Sequence, residues 1–586
     1  MKIIGISGLE NAESFKRTHW PGLDECEYRM SQGYDAAAAL VVDGVVVAAA
    51  AEERFSRRKH SGAFPIRAIQ YCLTEAGLSI NEIDELAHAF DYAPYATAYA
   101  IDSLATRRYR EVYSRDALLR FVKRDLPGFS FDRVRQVDHH ISHAASAYLT
   151  SGWDECLVIV IDGMGEVHGA SVYQAQQGRL HKLRHISALD SIGVFYSLVT
   201  LHLGFDFNLD EYKIMGLAPY GNPERFRTFF EEAIQLRKEG SICIPALRLN
   251  RTRDDRENSL LTRKYLNDNL VQARRPEEPI TQSHCDVAAS LQACLDRTLL
   301  HLCGYFGAQT SLRRIALAGG VALNCTANGK LLRSGLFDDI YVQPAAGDDG
   351  AALGAALHRA SLAGETHNVR LPVPFLGPSN SEDDVNAALG EYQDRIHYVR
   401  FPTLEDTCAE AARHIAEGRV LGWCRGRMEF GPRALGHRSI LADPAHPEMR
   451  DRINAMVKKR EAFRPFAPAV SLEQAHQWFD IPPMIELPYM IMTVDVQEKF
   501  RNELPAITHV NGSARVQTVS ARGNPDFHSL LRAVGKTTGR EMVLNTSFNV
   551  KGQPIVNTPR EAIETFLGTG IDLLFLENVL VRRQTS

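Results

Sequence analysis

Two histidines four residues apart, His139 and His143, are the first residues whose types and spacing could do chemistry. If the segment is helical, both imidazoles lie on one face about one turn apart, where they can bind one metal ion. Asp162, at the end of an apolar strand, and Asp348 are candidates for the remaining ligands. A surface or helix-capping role for the histidine pair remains an alternative.

Glycine-rich turns next to apolar segments form a second candidate site. Such turns let main-chain N–H groups approach a phosphate, and a following helix adds its positive end. One turn of this kind is usually only a turn, but three in one region favour nucleotide binding. The candidate residues are Gly163, Gly165, Gly319, Gly320, Asn324 and Gly347.

Arginines set among glycine, proline and phenylalanine form a third candidate site, in 426–439 and 458–466. Guanidinium groups bind phosphate or carboxylate bidentately, so this pattern suits a small phosphorylated substrate. An internal salt-bridge network is the alternative. Polar residues in 511–515 and 545–549 could orient a planar ligand in the same region.

Alternating strands and helices must position these residues, and they predict an α/β fold. Residues 36–51 read as two buried strands joined at Asp43-Gly44, a strong hairpin signal. A related pattern at 157–174 suggests a duplicated sheet unit. Helical patterns are predicted at 63–76, 107–126 and 277–306, and a strand that runs into glycines at 314–320.

Composition excludes several classes of protein. The 586 residues include 66 Lys and Arg against 71 Asp and Glu, a net charge of -5, which argues against a nonspecific hold on nucleic acid or an acidic membrane. No apolar run approaches the roughly 20 residues of a membrane-spanning helix. The ten cysteines lack a CxxC pattern, and the chain start lacks a signal-peptide layout, so we expect reduced thiols in the cytoplasm.

A change of composition between Leu362 and Ser381 predicts the main domain boundary, because Gly, Pro, Ser and Asn replace the periodic pattern there. We expect one domain over 1–365, a linker over 366–395 and a second α/β domain over 396–586. The second domain holds the arginine-rich segments. The sequence leaves the oligomeric state open, with a homodimer as one option.

Many ordered motifs together resemble the NodU/CmcH-type O-carbamoyltransferases over nearly the whole chain. They begin with EERFSRRKH (52–60), DHHISHAASA (138–147), VIDGMGE (160–166) and DEYKIMGLAPYG (210–221). They continue with AGGVALNC (318–325), GDDGAALGAA (347–356), GRMEFGPRALGHRSILADP (426–444), FRPFAP (463–468) and LNTSFN (544–549). So many matches in order are highly specific.

The resemblance implies an N-terminal domain of the actin/hexokinase-like ATPase class (ASKHA), similar to the tRNA threonylcarbamoyl transferase. It implies a C-terminal domain similar to the YrdC-like carbamoyl-adenylate-forming enzyme. In such proteins carbamoyl phosphate and ATP, with Mg, give carbamoyl adenylate in the C-terminal domain. The N-terminal domain then passes the carbamoyl group to a hydroxyl of a small acceptor such as a sugar or an antibiotic.

The resemblance also assigns residues. His139, His143, Asp162 and Asp348 match the ligands of a divalent metal, compatible with Fe(II), Mn or Zn. Catalytic and substrate-binding roles fall on a larger set. Lys458 and Arg460 match a KxR pair, Ser547 and Asn549 match an SxN pair, and the arginines expected to hold carbamoyl phosphate are Arg433, Arg438, Arg464 and Arg515.

The base for the transfer step is the least defined assignment. Asp210 and Glu211 in the DEYK segment are candidates. The family has a His-Asp pair before its first buried hairpin, whereas this chain has Tyr34-Asp35 after an insertion of 10–32. Tyr34 and Asp35 are therefore also candidates. A nucleotide-binding scaffold and a tRNA-modifying homologue remain as alternative functions.

Overall fold

The computed structural model describes residues 1–365, 374–461 and 463–584. The chain divides into two compact units. Unit 1 comprises Met1–Glu53 and His60–Leu371, and unit 2 comprises Arg54–Lys59 and Pro372–Ser586. A short segment from the N-terminal part of the chain therefore belongs to unit 2.

Unit 1 contains two five-stranded sheets with the same strand order. The first sheet runs β3-β2-β1-β4-β5 and the second runs β8-β7-β6-β11-β12, each with an antiparallel three-stranded meander extended by two parallel strands. A small hairpin pairs β9 with β10. The strands are β1 Lys2–Ile6, β2 Ala37–Val42, β3 Val45–Ala51, β4 Glu85–His88, β5 Val134–Gln136, β6 Glu155–Gly165, β7 His168–Gln176, β8 Arg179–Ser187, β9 Gln235–Arg237, β10 Ser241–Cys243, β11 Arg314–Ala318 and β12 Asp339–Val342.

The helices of unit 1, with one that continues into unit 2, are α1 Asn11–His19, α2 Glu25–Tyr28, α3 Glu53–Ser56, α4 Ile66–Ala76, α5 Ser103–Arg108, α6 Arg115–Asp125, α7 His139–Ser151, α8 Ile192–His202, α9 Glu211–Leu217, α10 Arg227–Ala233, α11 Arg253–Asn258, α12 Leu260–Asn269, α13 Gln282–Thr310, α14 Cys325–Arg333 and α15 Asp348–Leu362. Helix α15 packs on the first sheet, α7 packs on the second, and the two helices pack on each other. A Cβ at Gly354 would lie 1.7 Å from the carbonyl oxygen of Ser142, so only glycine permits this close approach.

Unit 2 contains an eight-stranded mixed sheet in the order β13-β22-β21-β14-β15-β20-β16-β19, and a two-stranded antiparallel sheet of β17 and β18. Its strands are β13 Ile396–Arg400, β14 Leu421–Cys424, β15 Arg438–Ala442, β16 Ala467–Ser471, β17 Thr493–Asp495, β18 Ser513–Arg515, β19 Gln517–Val519, β20 Met542–Ser547, β21 Leu573–Leu576 and β22 Val579–Arg583. Its helices are α16 Glu382–Glu391, α17 Leu404–Ala416, α18 Met449–Ile453, α19 Leu472–Trp478, α20 Pro525–Thr538 and α21 Pro559–Leu567. The apolar faces of α17 and α20 pack on this sheet and form the core of the unit.

The predicted α/β class is confirmed, and the predicted repeat is shifted by one strand. Residues 36–51 form the second and third strands of the first sheet, whereas 157–174 lie in the first and second strands of the second sheet. The helix predicted over 107–126 is interrupted at Ser114, whose hydroxyl caps α6. The predicted linker includes 366–373, which lie outside the described residues.

All ten cysteines are free thiols. Across 1–365, 374–461 and 463–584, no helix has both the length and the apolar character needed to cross a bilayer.

Candidate metal centre and anion site

The two sheets of unit 1 place the candidate metal ligands at strand ends. In the first sheet the chain leaves β5 and enters α7, whose first residue is His139. The carboxylate of Asp138 accepts a hydrogen bond of 2.9 Å from the Ile141 N–H and caps this helix. In the second sheet Asp162 lies near the end of β6, and Asp348 begins α15. The close packing of α7 on α15 thus brings the beginnings of both helices together.

Four side chains converge there, as the sequence predicts: His139, His143, Asp162 and Asp348. Their donor atoms all lie within 4.8 Å of one another. The Nε2 atoms of the two histidines are 3.0 Å apart. His139 Nε2 lies 3.4 Å from a carboxylate oxygen of each aspartate. His143 Nε2 lies 3.9 Å from Asp162 and 3.6 Å from Asp348.

These separations fit a divalent metal ion. A metal–ligand bond of about 2.1 Å places neighbouring ligands of a four- to six-coordinate ion about 3.0–3.4 Å apart. The two imidazoles are fully buried, and the two carboxylates are at most 21% exposed. Mixed imidazole and carboxylate ligands suit Fe(II), Mn or Zn, and the geometry selects none of the three.

Hydrogen bonds orient His139 for ligation. Its Nδ1–H donates to the carbonyl oxygen of Ala89 at 3.0 Å, which leaves the Nε2 lone pair facing the other ligands. The Phe90 ring stacks on its imidazole with the centroids 4.2 Å apart. The main-chain N–H of His139 donates to the Glu166 carboxylate at 3.1 Å, and the same carboxylate oxygen accepts from the Asp91 N–H at 2.8 Å. Glu166 therefore ties two segments at the centre together.

The charges of the centre are strongly coupled. Burial lowers the pKa of His139, but Asp348 and Asp162 outweigh burial and raise that pKa well above the ordinary value. Burial raises the pKa of Asp162, but His139 and His143 outweigh it and lower that pKa. Burial and Asp138 raise the pKa of Glu166 to about 8. The opposite charges of the histidines and aspartates therefore stabilise each other in this largely buried site.

The glycine turns surround the same centre. Gly320 N–H donates to Asp162 Oδ1 at 3.0 Å, and Gly319 has a φ of +88° that a side chain would strain. Gly347 precedes α15 as its N-cap residue. The other predicted nucleotide-binding residues are Gly163 and Gly165, at the end of β6, and Asn324. Asn324 is buried and caps α14 through a hydrogen bond of 3.0 Å from the Ala327 N–H, which is a structural role.

Asp35 is paired with a histidine that the sequence did not single out. Its Oδ1 lies 2.7 Å from His60 Nδ1, and both side chains are partly exposed, at 38% and 24%. Both residues also have positive φ angles, 53° and 55°, which non-glycine residues rarely adopt outside constrained sites. Tyr34 instead donates its hydroxyl to Glu13 at 3.1 Å, and burial raises its pKa.

The DEYK segment is internally paired. Asp210 is buried and forms an ion pair of 2.8 Å with Lys213, and it accepts hydrogen bonds from Asp206 N–H and the Tyr212 hydroxyl. Glu211 accepts a hydrogen bond of 2.6 Å from the Ser197 hydroxyl, and burial raises its pKa. These contacts link the first turn of α9 and its N-cap residue Asp210 to neighbouring residues.

In unit 2 the structure brings the KxR and SxN motifs together. A π-helical turn over Asn454–Lys458 ends at Lys458, whose ammonium group is buried. It donates to the Ser547 carbonyl at 2.5 Å and to Asn549 Oδ1 at 2.8 Å, and it lies 3.2 Å from the Ser547 hydroxyl. The Ser547 hydroxyl also donates to Asn549 Oδ1 at 2.7 Å.

Other cations of unit 2 act on Lys458. Burial, followed by the charges of Arg460, Arg464 and Lys59, lowers its pKa well below the ordinary value. The guanidinium of Arg460 lies 4.0 Å above the Phe466 ring and donates to Asn454 at 3.0 Å. Excess positive charge in a buried polar setting favours an anionic ligand.

The remaining predicted arginines differ in their settings. Arg438 is fully buried and donates to main-chain carbonyls of Arg425, Gly426, His437 and Pro378, so it holds the loop rather than facing a substrate. Arg433 and Arg464 are half-buried, and Arg515 is the last residue of β18.

Three residues of these sites were missed by the sequence reasoning: His60, Lys59 and Glu166. Lys59 and His60 are the last two residues of the motif EERFSRRKH (52–60). Within this motif, Arg54–Lys59 belong to unit 2. There Arg54 donates to Gly431 O at 3.0 Å, and Arg57 donates to Ile555 O at 2.8 Å. The density of basic residues in that motif indicated a functional segment. The residues that Arg54 and Arg57 contact lie hundreds of positions away in the sequence, so the sequence did not reveal them.

Family models match most of the chain. The model described as carbamoyltransferase N-terminus matches residues 30–100 and 103–357, and the model described as carbamoyltransferase C-terminus matches 412–583. The chain therefore belongs to the carbamoyltransferase family and is an enzyme of that class.

Individual relatives and solved structures are also similar to the chain. The chain is 42% identical over 594 residues to nodulation protein NolNO of Sinorhizobium fredii, covering 100% of this chain and 83% of that protein. It is 36% identical over 245 residues to a 3'-hydroxymethylcephem-O-carbamoyltransferase of Amycolatopsis lactamdurans, covering 41% of this chain and 43% of that protein. Among solved structures, full-length HypF in a phosphate- and nucleotide-bound form has a TM-score of 0.35 and 13% identity, covering 62% of this chain and 55% of that one.

Proposed function

We propose that the chain is an ATP-dependent O-carbamoyltransferase that works through carbamoyl adenylate. Carbamoyl phosphate is first hydrolysed to carbamate and phosphate. A carbamate oxygen then attacks the α-phosphorus of ATP, which gives carbamoyl adenylate and pyrophosphate. Finally an acceptor hydroxyl attacks the carbamoyl carbon, AMP leaves with the electron pair of the broken C–O bond, and the hydroxyl proton passes to a base.

Unit 2 is proposed for the adenylate-forming steps and is assigned the YrdC-like role. Its Lys458 and neighbouring arginines would bind phosphate oxygens of carbamoyl phosphate and ATP. Arg460 is held by Phe466 and Asn454, and a guanidinium fixed in this way loses little freedom when it binds an anion. Ser547 and Asn549 orient the Lys458 ammonium group.

Unit 1 is proposed for carbamoyl transfer and is assigned the ASKHA role, consistent with its two sheets of identical strand order. His139, His143, Asp162 and Asp348 would hold a divalent ion, whose Lewis-acid charge would act on phosphate oxygens. Glycine turns leave main-chain N–H groups near these ligands. The Asp35 carboxylate accepts the Nδ1–H of His60, and this pair is proposed to take the acceptor proton, with His60 as the base.

The observation that carries the proposal is that Lys458 contacts Ser547 and Asn549 while the positive charges of Arg460 and Arg464 act on it. These residues come from two motifs about ninety positions apart, and their assembly supports an anion site rather than a surface salt-bridge network. The relatives that are named as nodulation proteins and cephem carbamoyltransferases support a small hydroxylated acceptor. The net charge of -5 gives no support to a tRNA acceptor.

The first step can be tested without knowing the acceptor. Purified full-length chain is incubated with ATP and magnesium, with and without carbamoyl phosphate, and pyrophosphate release is followed. We expect release only when carbamoyl phosphate is present. Release that does not depend on carbamoyl phosphate, or phosphate release from the γ position with formation of ADP, would contradict the proposal.

A further inference from the structure

Glu166 carries a buried carboxylate beside the candidate metal centre and is not one of its four candidate ligands. Its exposed fraction is 2%. Removing a carboxylate from water is costly unless hydrogen bonds compensate for the lost solvation. The groups that donate to Glu166 therefore show which parts of the molecule this residue holds in place.

A β-bulge in strand β6 brings Glu166 to the centre. Three residues of β6, 162–164, stand opposite the single residue Gly169 of β7, and pairing resumes at Gly165. A bulge bends its strand and changes the direction of the side chains in it. The candidate ligand Asp162 lies in this bulge, and Glu166 follows directly after it. The ligand and the carboxylate thus belong to one irregular segment.

Close packing fixes the backbone from which the carboxylate extends. A Cβ on Gly165 would lie 2.7 Å from Cδ2 of His139 and 2.6 Å from Cδ2 of His140, so only glycine fits there unless the rings move. Glu166 itself has a φ of +45°, which non-glycine residues rarely adopt. Its carbonyl oxygen accepts a hydrogen bond of 3.4 Å from the side-chain amide of Gln32.

The carboxylate supplies a partner that helix α7 lacks. The first N–H groups of a helix have no acceptor within the helix. In α7 the N-cap residue Asp138 accepts from the Ile141 N–H, whereas the N–H of the first residue, His139, donates to Glu166 at 3.1 Å. The same oxygen of Glu166 accepts from the Asp91 N–H at 2.8 Å. Glu166 thus pairs the main chain of a residue whose imidazole is a candidate ligand.

This hydrogen bond joins two candidate ligands that come from different sheets. His139 follows the last strand of the first sheet, and Asp162 lies on β6 of the second sheet. Ala89 and Phe90 orient the imidazole ring of His139, but only Glu166 among these three residues comes from the segment that carries Asp162. Metal–ligand distances must hold within about 0.2 Å, so a small shift of α7 relative to β6 would weaken the site.

We propose that Glu166 is a positioning residue of the candidate metal centre. It holds the first turn of α7 against the end of β6, so that His139 and Asp162 stand at the separation that one divalent ion requires. This inference rests on the proposed function, which assigns the ion to the four candidate ligands. Glu166 acts by accepting main-chain N–H groups, so the side-chain oxygen of glutamine should serve in its place.

The test measures cobalt(II) binding to the full chain and its variants by competition with a chelator. Cobalt(II) is the probe because its visible absorption reports the number and geometry of its ligands. Glu166→Ala removes the acceptor, and Glu166→Gln keeps an acceptor oxygen at the same reach. Asp102→Ala is the matched control, because Asp102 accepts a main-chain N–H at 2.8 Å at the start of α5 and is outside the ligand set.

We expect Glu166→Ala to bind cobalt about 10- to 100-fold more weakly, which is the typical cost of losing an outer-shell partner. Its spectrum at saturating cobalt should differ from that of the wild type, because His139 is displaced. Glu166→Gln should recover most of the affinity and the wild-type spectrum. Asp102→Ala should lower the melting temperature through the loss of a helix cap and leave cobalt binding unchanged.

Wild-type affinity and spectrum in Glu166→Ala, whatever its melting temperature, would overturn the inference alone. Equal losses in Glu166→Ala and Glu166→Gln would also overturn it, because the charge and not the acceptor position would then matter. The same loss in Asp102→Ala would indicate general destabilisation and contradict it too. If the wild-type chain binds no cobalt, the inference falls together with the metal centre of the proposed function, so the two failures are distinguishable.

Discussion

The Nε2 atoms of His139 and His143 lie 3.0 Å apart in a fully buried setting. Two imidazole lone pairs repel each other at this distance unless a proton or a metal ion lies between them. Two aspartates, Asp162 and Asp348, complete the set within 4.8 Å, and the Nδ1–H of His139 is already donated to Ala89. The short distances between these donor atoms favour one divalent ion bound by all four side chains.

The wild-type chain should therefore bind one divalent ion tightly. Loss of an outer-shell partner typically costs about 10–100-fold in metal affinity, and replacing a ligand should cost at least as much. His143→Ala should bind metal correspondingly weakly in competition with a chelator. His185→Gln is a matched control, because His185 lies on β8 outside the ligand set. Equal metal affinity of His143→Ala and wild type would contradict the site.

The anion site of unit 2 should depend on Lys458 and not on its neighbour. The variant Lys458→Ala removes the buried ammonium group. It should lower the rate of pyrophosphate release by roughly 10- to 100-fold, because hydrogen bonds to charged groups are worth about 1.5–3 kcal/mol. Lys459→Ala is the control, since Lys459 is adjacent but exposed. Steady-state rates of pyrophosphate formation compare the two variants. A similar loss in both would show that general positive charge, rather than Lys458, matters.

Binding of a phosphate anion should be accompanied by proton uptake. Burial and three neighbouring cations lower the pKa of Lys458 in the free protein, so its charged form is less favoured there than in water. A bound anion stabilises the charged form and raises that pKa, so affinity for phosphate should fall as pH rises. Calorimetry in buffers of different ionisation enthalpy measures the uptake, and Lys458→Met should abolish it. Uptake that persists in this variant would assign the proton to another group.

The pair of Asp35 and His60 should be needed for transfer and not for activation. His60→Gln and Asp35→Asn should keep pyrophosphate release, while carbamoylation of an acceptor found in a screen of hydroxylated sugars and antibiotics falls by about a hundredfold or more. His19→Gln, in α1, is a control for the loss of a histidine elsewhere in unit 1. If His60→Gln transfers the carbamoyl group at the wild-type rate, the acceptor proton goes to another base.

The sequence predicted the convergence of the four candidate metal ligands because they sit in strongly patterned positions. His139 and His143 share a helix face, and Asp162 and Asp348 lie next to glycine turns at element ends. The close packing of α7 on α15 that joins them depends on Gly354, whose contact with Ser142 no local pattern shows. The α/β class follows from periodicity, whereas the shifted repeat required strand pairing over long distances.

Pairings between distant segments explain most of what the sequence did not predict. His60 meets Asp35 across twenty-five positions, and Glu166 joins His139 to Asp91 through main-chain N–H groups that carry no residue-specific signal. Arg438 looked like a substrate ligand because it lies in an arginine-rich motif. Its burial against four carbonyls depends on tertiary structure alone.

The central claim is that the carbamoyl group passes through an adenylate. The most direct measurement is mass spectrometry of a rapidly quenched reaction of the full chain with ATP, magnesium and isotopically labelled carbamoyl phosphate, without acceptor. The account predicts labelled carbamoyl adenylate together with pyrophosphate, and no signal from Lys458→Ala. A labelled acceptor product formed while ATP is converted only to ADP, with no label on any nucleotide, would contradict it.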